Sequence, residues 1–117
     1  MKSIAVKRKH KYGNKPFYDD DGNYWHAQGE YKRWCDLKLL EKAGEISALS
    51  RQIKFELSVN NLHICSYIPD FSYFAKDKSI MIHEDFKGLE TREFKIKKRL
   101  MKAIYNIDIK ITTRIKV

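Results

Sequence analysis

Hydrophobic and polar residues alternate most cleanly from Gln52 to Val59, where Ile53, Phe55, Leu57 and Val59 interleave with Gln52, Lys54, Glu56 and Ser58. A period of two predicts a strand with one buried face. Asn60-Asn61 follows as a turn signal. A second strand is expected over about Leu62 to Phe74 and a third from Ser79 or Ile80 to Lys87. The segment between them, Ala75-Lys-Asp-Lys-Ser79, is short and polar, as in a hairpin. Gly88 ends the third strand. Near the end of the chain, Ile107, Ile109 and Ile111 alternate with Asp108, Lys110 and Thr112, which predicts a last strand.

Two stretches have helical character. From about Ala27 to Ala43 there is no proline, and after Gly29 the chain is rich in Leu, Lys, Glu and Arg. Gly44 suits the C-cap. Apolar positions lie all around this helix, so it is expected to be largely covered. The second helix is expected from about Arg92 to Tyr105, capped by Thr91 and ended by Asn106. Phe94, Met101 and Ile104 share one of its faces, with Lys95, Lys98, Arg99 and Lys102 elsewhere. Asp19-Asp-Asp-Gly22-Asn23 reads as a turn. The order helix, three strands, helix, strand predicts an α+β (α/β) domain with one mixed central sheet flanked by helices.

Composition narrows the function classes. The 117 residues allow one compact domain, expected over 25–117 behind a basic arm over 1–24. Lys and Arg number 24 against 15 Asp and Glu, a formal charge of +9, which suits a polyanionic partner, nucleic acid first. The excess is concentrated at the ends. Residues 1–18 carry Lys2, Lys7, Arg8, Lys9, Lys11 and Lys15 and no acid, and residues 92–117 carry nine Lys and Arg against Glu93 and Asp108. A solvated helix face and a charged tail would yield the same count. No run approaches the roughly 18 apolar residues of a membrane span, and the N-terminus lacks the longer apolar run of a secretion signal. Cys35 and Cys65 are too few for a disulfide scaffold, so a reducing, cytoplasmic setting is expected.

The chemistry is concentrated on the expected hairpin. A turn centred on Asp77-Lys78 sets Asp70 opposite Asp85 and Ile68 opposite Lys87. Side-chain alternation then gathers Asp70, Asp85 and Lys87 on one face, with opposed Cβ atoms about 5 Å apart. Two like charges facing each other destabilise a sheet, and a hard divalent cation relieves the repulsion. Such a cation activates water and offsets charge on a phosphodiester. Lys87 would hold the attacking water or the phosphate oxygens. The bland alternative is a pair of exposed strand-end acids with Lys87 as a surface partner. Glu30 shares a helix face with Trp34 and Leu37, so it suits either a further metal ligand or a boundary residue. Glu84 precedes Asp85 and points to the opposite face; in another register it would take the place of Asp85.

These residues resemble the PD-(D/E)XK nuclease superfamily: Glu30 on a leading helix, Pro69-Asp70, then Asp85-Phe86-Lys87 on a hairpin. The longer segments Glu30–Ile46, Gln52 before Phe55, Tyr67-Ile-Pro-Asp-Phe71, Glu84-Asp-Phe-Lys-Gly88 and Thr91–Lys98 are similar to a family of small phage and prophage proteins assigned to that fold. The similarity spans roughly residues 25 to 111. It implies that Asp70 and Asp85 are metal-binding acids, that Lys87 is the catalytic lysine, and that Glu30 is the helix acid completing the metal site. Gln52 resembles a glutamine near the site in some relatives. His26-Ala27-Gln28 departs from the usual Asp-Ser-Lys before the helix acid, which bears on where that helix starts.

The resulting expectation is a Mg²⁺-dependent DNA endonuclease, with Mn²⁺ as a substitute, phage-encoded and active in the host cytoplasm. It would act in DNA recombination, repair or processing, on branched DNA as one option. Lys7, Arg8, Lys9, Lys11, Lys95, Lys98, Arg99 and Lys102 would hold the DNA backbone. Tyr12, Phe17, Tyr18, Tyr24 and Trp25 would stack on unpaired bases or close the core. A homodimer would let so small a domain cut both strands. Two alternatives stand beside it: a non-catalytic nucleic-acid binder of the same fold, and a small phage regulatory module. A zinc site from His63, Cys65, Cys35 and His83 has no supporting CxxC or HxxxH spacing. No GxxxxGK[ST] or GxGxxG loop is present, so no nucleotide cofactor is expected.

Overall fold

A computed structural model describes residues 15–113. Its elements are β1 (Phe17–Tyr18), β2 (Tyr24–Trp25), α1 (Gln28–Lys42), β3 (Ile46–Arg51), β4 (Phe55–Val59), β5 (Leu62–Tyr67), β6 (Phe71–Ala75), β7 (Ile80–Phe86), α2 (Arg92–Tyr105) and β8 (Lys110–Thr112). The architecture is α+β with a mixed central sheet, as expected. The chain divides into two compact units, Met1–Asp36 and Leu37–Val117.

In the first unit, β1 and β2 pair as an antiparallel hairpin, Phe17 with Trp25 and Tyr18 with Tyr24. Its turn is the expected one: Gly22 takes φ +88°, and the Asp19 carboxylate accepts from the main-chain N–H groups of Asp21 and Asn23, each at 2.9 Å. The other Asp19 oxygen accepts from Trp25 Nε1 at 2.8 Å, satisfying the indole of a fully buried side chain. Trp25 packs edge-on to Tyr31 and beside Trp34, with ring centroids 5.3 and 6.0 Å apart. Residues 17–25 are thus a hairpin closing an aromatic cluster, where an arm over 1–24 was expected. Lys7, Arg8, Lys9, Lys11 and Tyr12 lie outside the described residues.

In the second unit, α1 ends as its sequence predicts. Gly44 takes φ +84°, and the N–H groups of Gly44 and Glu45 donate to the carbonyls of Glu41 and Leu40. The central sheet has the order β3-β6-β7-β8, and β4-β5 forms a separate two-stranded sheet. β7 and β8 run parallel, joined through α2, the crossover that a parallel pair requires.

The strand expectations need correction at four places. β3 has no counterpart among the expected strands: Ile46-Ser-Ala-Leu-Ser-Arg51 lacks strict alternation because its ladder slips between Ser47 and Ser50, where Ala48 takes φ +55°. The strand expected from Gln52 begins at Phe55, since Gln52 turns the chain at φ +55°. The strand expected over Leu62 to Phe74 splits at Ile68-Pro69-Asp70 into β5 and β6, which lie in different sheets. Pro69, fully buried, has no N–H for a ladder. The last strand is also shorter than its alternation, covering Lys110–Thr112.

The turn and cap signals hold, but α1 is not largely covered as expected: Leu37 alone of its residues is buried, Leu39 is 66 % exposed, and Lys32, Asp36, Lys38, Glu41 and Lys42 keep its polar face in solvent. Asn60 and Asn61 take φ +51° and +66°, the left-handed pair of a two-residue hairpin turn, and Val59 pairs with Leu62. Thr91 Oγ1 accepts from Phe94 N at 3.1 Å, and Asn106 caps the other end of α2 at φ +58°. Leu57, Tyr67, Phe94, Met101 and Ile109 form a buried core between the β4-β5 hairpin, α2 and the β8 approach. Fully burying each such side chain stabilises the fold by about 1.5–3 kcal/mol.

Candidate active site

The β6-β7 register determines which side chains meet. Phe71 pairs with Glu84, Ser72 with His83 and Ala75 with Ile80. This is the register expected from a turn centred on Asp77-Lys78, with Asp70 one step beyond the last pair and level with Asp85. Asp70 Oδ2 accepts from Phe86 N at 2.8 Å, so its side chain reaches the main chain beside Asp85. Gln52 is tied to the same corner by its backbone: its N–H donates to the Asp70 carbonyl at 3.2 Å. Its side chain is exposed.

Asp70, Asp85 and Lys87 line one cleft of about 330 Å³, together with Tyr67, Phe94 and Lys97. Asp85 is 2 % exposed. Its Oδ2 accepts the Tyr67 hydroxyl, and its Oδ1 lies 3.8 Å from Lys87 Nζ. Burial, reinforced by the hydrogen bond to Asp85 and the nearby carboxylate charges, pushes the Tyr67 phenol far above its ordinary value. Tyr67 is therefore a neutral donor across the working pH range. Lys87 also sits 4.6 Å from the Phe94 ring centroid, and its side chain keeps 31 % of its surface in solvent. A lysine held by a ring face on one side and a carboxylate on the other is aimed but not locked. Across the cleft, Glu93 pairs with Lys97 at 3.4 Å.

Glu84 points to the opposite face of β7, as alternation requires. It is fully buried, accepting from Tyr73 Oη at 2.6 Å and Thr112 Oγ1 at 3.1 Å. The register leaves Asp85, not Glu84, at the cleft. Glu30 stands in the first turn of α1, half-buried, and belongs to the first unit. Among the described residues no group of three or more His, Cys, Asp or Glu gathers where it could hold a metal ion. His83 instead bonds Ser72 Oγ at 2.7 Å, and burial lowers its pKa. His63 bonds Glu56 at 2.8 Å.

Sequence reasoning does not single out Tyr67 and Phe94 for the cleft. The available signal is the buried parity of Cys65 and Tyr67 on β5, since a buried tyrosine hydroxyl requires an acceptor. Of the expected backbone-binding residues on α2, Lys95, Arg99 and Lys102 are exposed. Lys98 pairs with Glu90 at 3.4 Å and Lys102 with Asp108 at 3.0 Å. No described helix is long and apolar enough to cross a membrane.

A family described as "Protein of unknown function (DUF1064)" matches residues 9–117. No curated protein and no solved structure matches the chain.

Proposed function

The chain belongs to the DUF1064 family, and from that premise and the chemistry of the cleft we propose that it is a metal-dependent DNA endonuclease. The observation that carries the reading is the convergence of Asp70, Asp85 and Lys87 on one cleft of a strongly basic chain. A pair of acids facing a polyanion is unfavourable unless a cation lies between them.

The donor set fits such a cation. Asp70 and Asp85 offer hard carboxylate oxygens, and Mg²⁺ is commonly held by one or two carboxylates with water and substrate phosphate completing its octahedron. Mn²⁺ suits the same donors. When bound, the ion would supply a more acidic water and neutralise phosphate charge. Lys87 would donate to the attacking water or to a non-bridging phosphate oxygen, its ammonium steadied by the Phe94 face. Phe86 N holds one Asp70 oxygen and thereby orients that side chain. The exposed Lys95, Arg99 and Lys102 on α2 would grip backbone phosphates without reading bases. Gln52 is proposed as an accessory residue, and Lys7, Arg8, Lys9 and Lys11 as further phosphate contacts. Membership of the PD-(D/E)XK superfamily, a phage origin, a homodimer and action in the host cytoplasm belong to the same proposal, with branched DNA as one substrate.

The test is cleavage of plasmid, linear, single-stranded and branched DNA with Mg²⁺ or Mn²⁺. Wild-type protein is expected to cut at least one of them. Asp85→Ala and Lys87→Ala should each lower the rate by about 10²-fold or more. Cleavage that persists in both variants would refute the assignment. One observation favours a second reading, a non-catalytic nucleic-acid binder: no described group of three ligating side chains surrounds a common point. Metal-independent DNA binding without cleavage of any substrate would decide for it.

A further inference from the structure

We propose that Tyr67 is a positioning residue that makes Asp85 a one-oxygen ligand, holding Oδ2 so that only Oδ1 is offered to a cation. The inference rests on the metal-dependent reading of the cleft and adds a residue that reading does not require.

Asp85 has two oxygens and three prospective partners. Tyr67 donates to Oδ2, Lys87 Nζ approaches Oδ1 at 3.8 Å, and a cation would need at least one oxygen. The 3.8 Å separation is long for a charge-assisted hydrogen bond, which prefers about 2.7–2.9 Å. Lys87 therefore guards Oδ1 without closing on it. Tyr67 is well placed to keep that balance. It ends β5 just before the Ile68-Pro69-Asp70 corner, and its ring is buried against Phe94 with centroids 6.2 Å apart. The phenol is thus set by the core rather than by the cleft, and the carboxylate plane is set by the phenol.

Without the hydroxyl, Asp85 would be free to rotate. It would close on Lys87, or offer both oxygens to an ion at once. The first outcome competes with any cation. The second favours Ca²⁺, which accepts bidentate carboxylates in loose shells, over Mg²⁺ or Mn²⁺, which demand near-octahedral geometry. Partners that orient a ligand characteristically change metal affinity by about 10–100-fold when removed.

The experiment titrates the metal-free full-length protein with Mn²⁺ and with Ca²⁺ by calorimetry, using wild type, Tyr67→Phe and Asp85→Asn. Melting curves check that each variant folds. Tyr67→Phe removes one oxygen and keeps the ring packed on Phe94. It is expected to weaken Mn²⁺ binding by about 10–100-fold and Ca²⁺ binding by less. Adding Lys87→Ala to Tyr67→Phe should recover more Mn²⁺ affinity than Lys87→Ala adds to the wild type, because a freed Asp85 no longer has an ammonium to close on. Mn²⁺ binding within about twofold of wild type in Tyr67→Phe, with Asp85→Asn still losing it, overturns the role of Tyr67 and leaves the metal site standing. Equal losses for both ions, or no excess recovery with Lys87→Ala, mean that the hydroxyl only stabilises the fold, and also overturn it. If wild type binds no Mn²⁺, or Asp85→Asn binds as wild type does, the metal reading itself fails and this inference falls with it.

Discussion

At the level of single residues, the cleft depends on side chains held by neighbours far away in sequence. Asp70 was legible because a period of two and a short polar turn specify its partner. The role of Tyr67 was not, because its acceptor lies across a corner between two sheets. Asp19 illustrates a local equivalent. Its carboxylate accepts from Trp25 Nε1 and two main-chain N–H groups, and these bonds, the indole first, hold its pKa below the ordinary 3.8. A lowered carboxylate contributes stability that is complete above the unfolded value and is lost as the pH falls through the folded one. Acidification below about 3.8 should therefore loosen the β1-β2 hairpin, seen as a change in tryptophan emission from Trp25 and Trp34. Asp19→Asn should remove that acid transition. An unchanged transition in the variant would mean that other carboxylates control it.

At the level of elements, caps and turns were readable because each is a short-range requirement. Thr91 and Asn106 bound α2, Gly44 ends α1, and Asn60-Asn61 turns β4 into β5. Thr91→Ala is expected to cost about 1 kcal/mol in a urea titration, the usual value of an N-cap oxygen. Gly44→Ala meets no atom within 4 Å, so its cost is conformational alone, about 1–2 kcal/mol for a left-handed residue with a Cβ. A Gly44→Ala variant as stable as wild type would show that the helix end relaxes. Met101 is fully buried in the α2 core, and Met101→Ala should cost about 2–5 kcal/mol by the same titration. The elements that escaped the sequence are those whose pattern is broken by geometry. β3 carries a left-handed Ala48 in its ladder, and the Pro69 corner ends β5 inside a segment, Leu62 to Phe74, that reads as one strand.

At the level of the molecule, the 117 residues carry a formal charge of +9, while the cleft carries a buried acid, Asp85. If α2 grips phosphates, the Lys95→Ala, Arg99→Ala double variant should bind duplex DNA more weakly. Its slope of log K against log salt should flatten by about 0.9 for each phosphate that is no longer neutralised. A slope equal to wild type would remove α2 from the interface. The amino-acid order alone settled the elements with local rules: both helices, the ends set by Gly44, Thr91 and Asn106, the Asn-Asn and Gly22 turns and the β6-β7 register. These depend on propensity and periodicity over a few residues, so no distant neighbour was needed to read them. Tertiary structure decided the rest. It put β5 and β6 into separate sheets, closed Trp25 over Asp19, buried Glu84 away from the cleft and joined Tyr67 to Asp85. Each of these depends on which distant surfaces exclude water together, and a pattern along one chain carries no record of that partner.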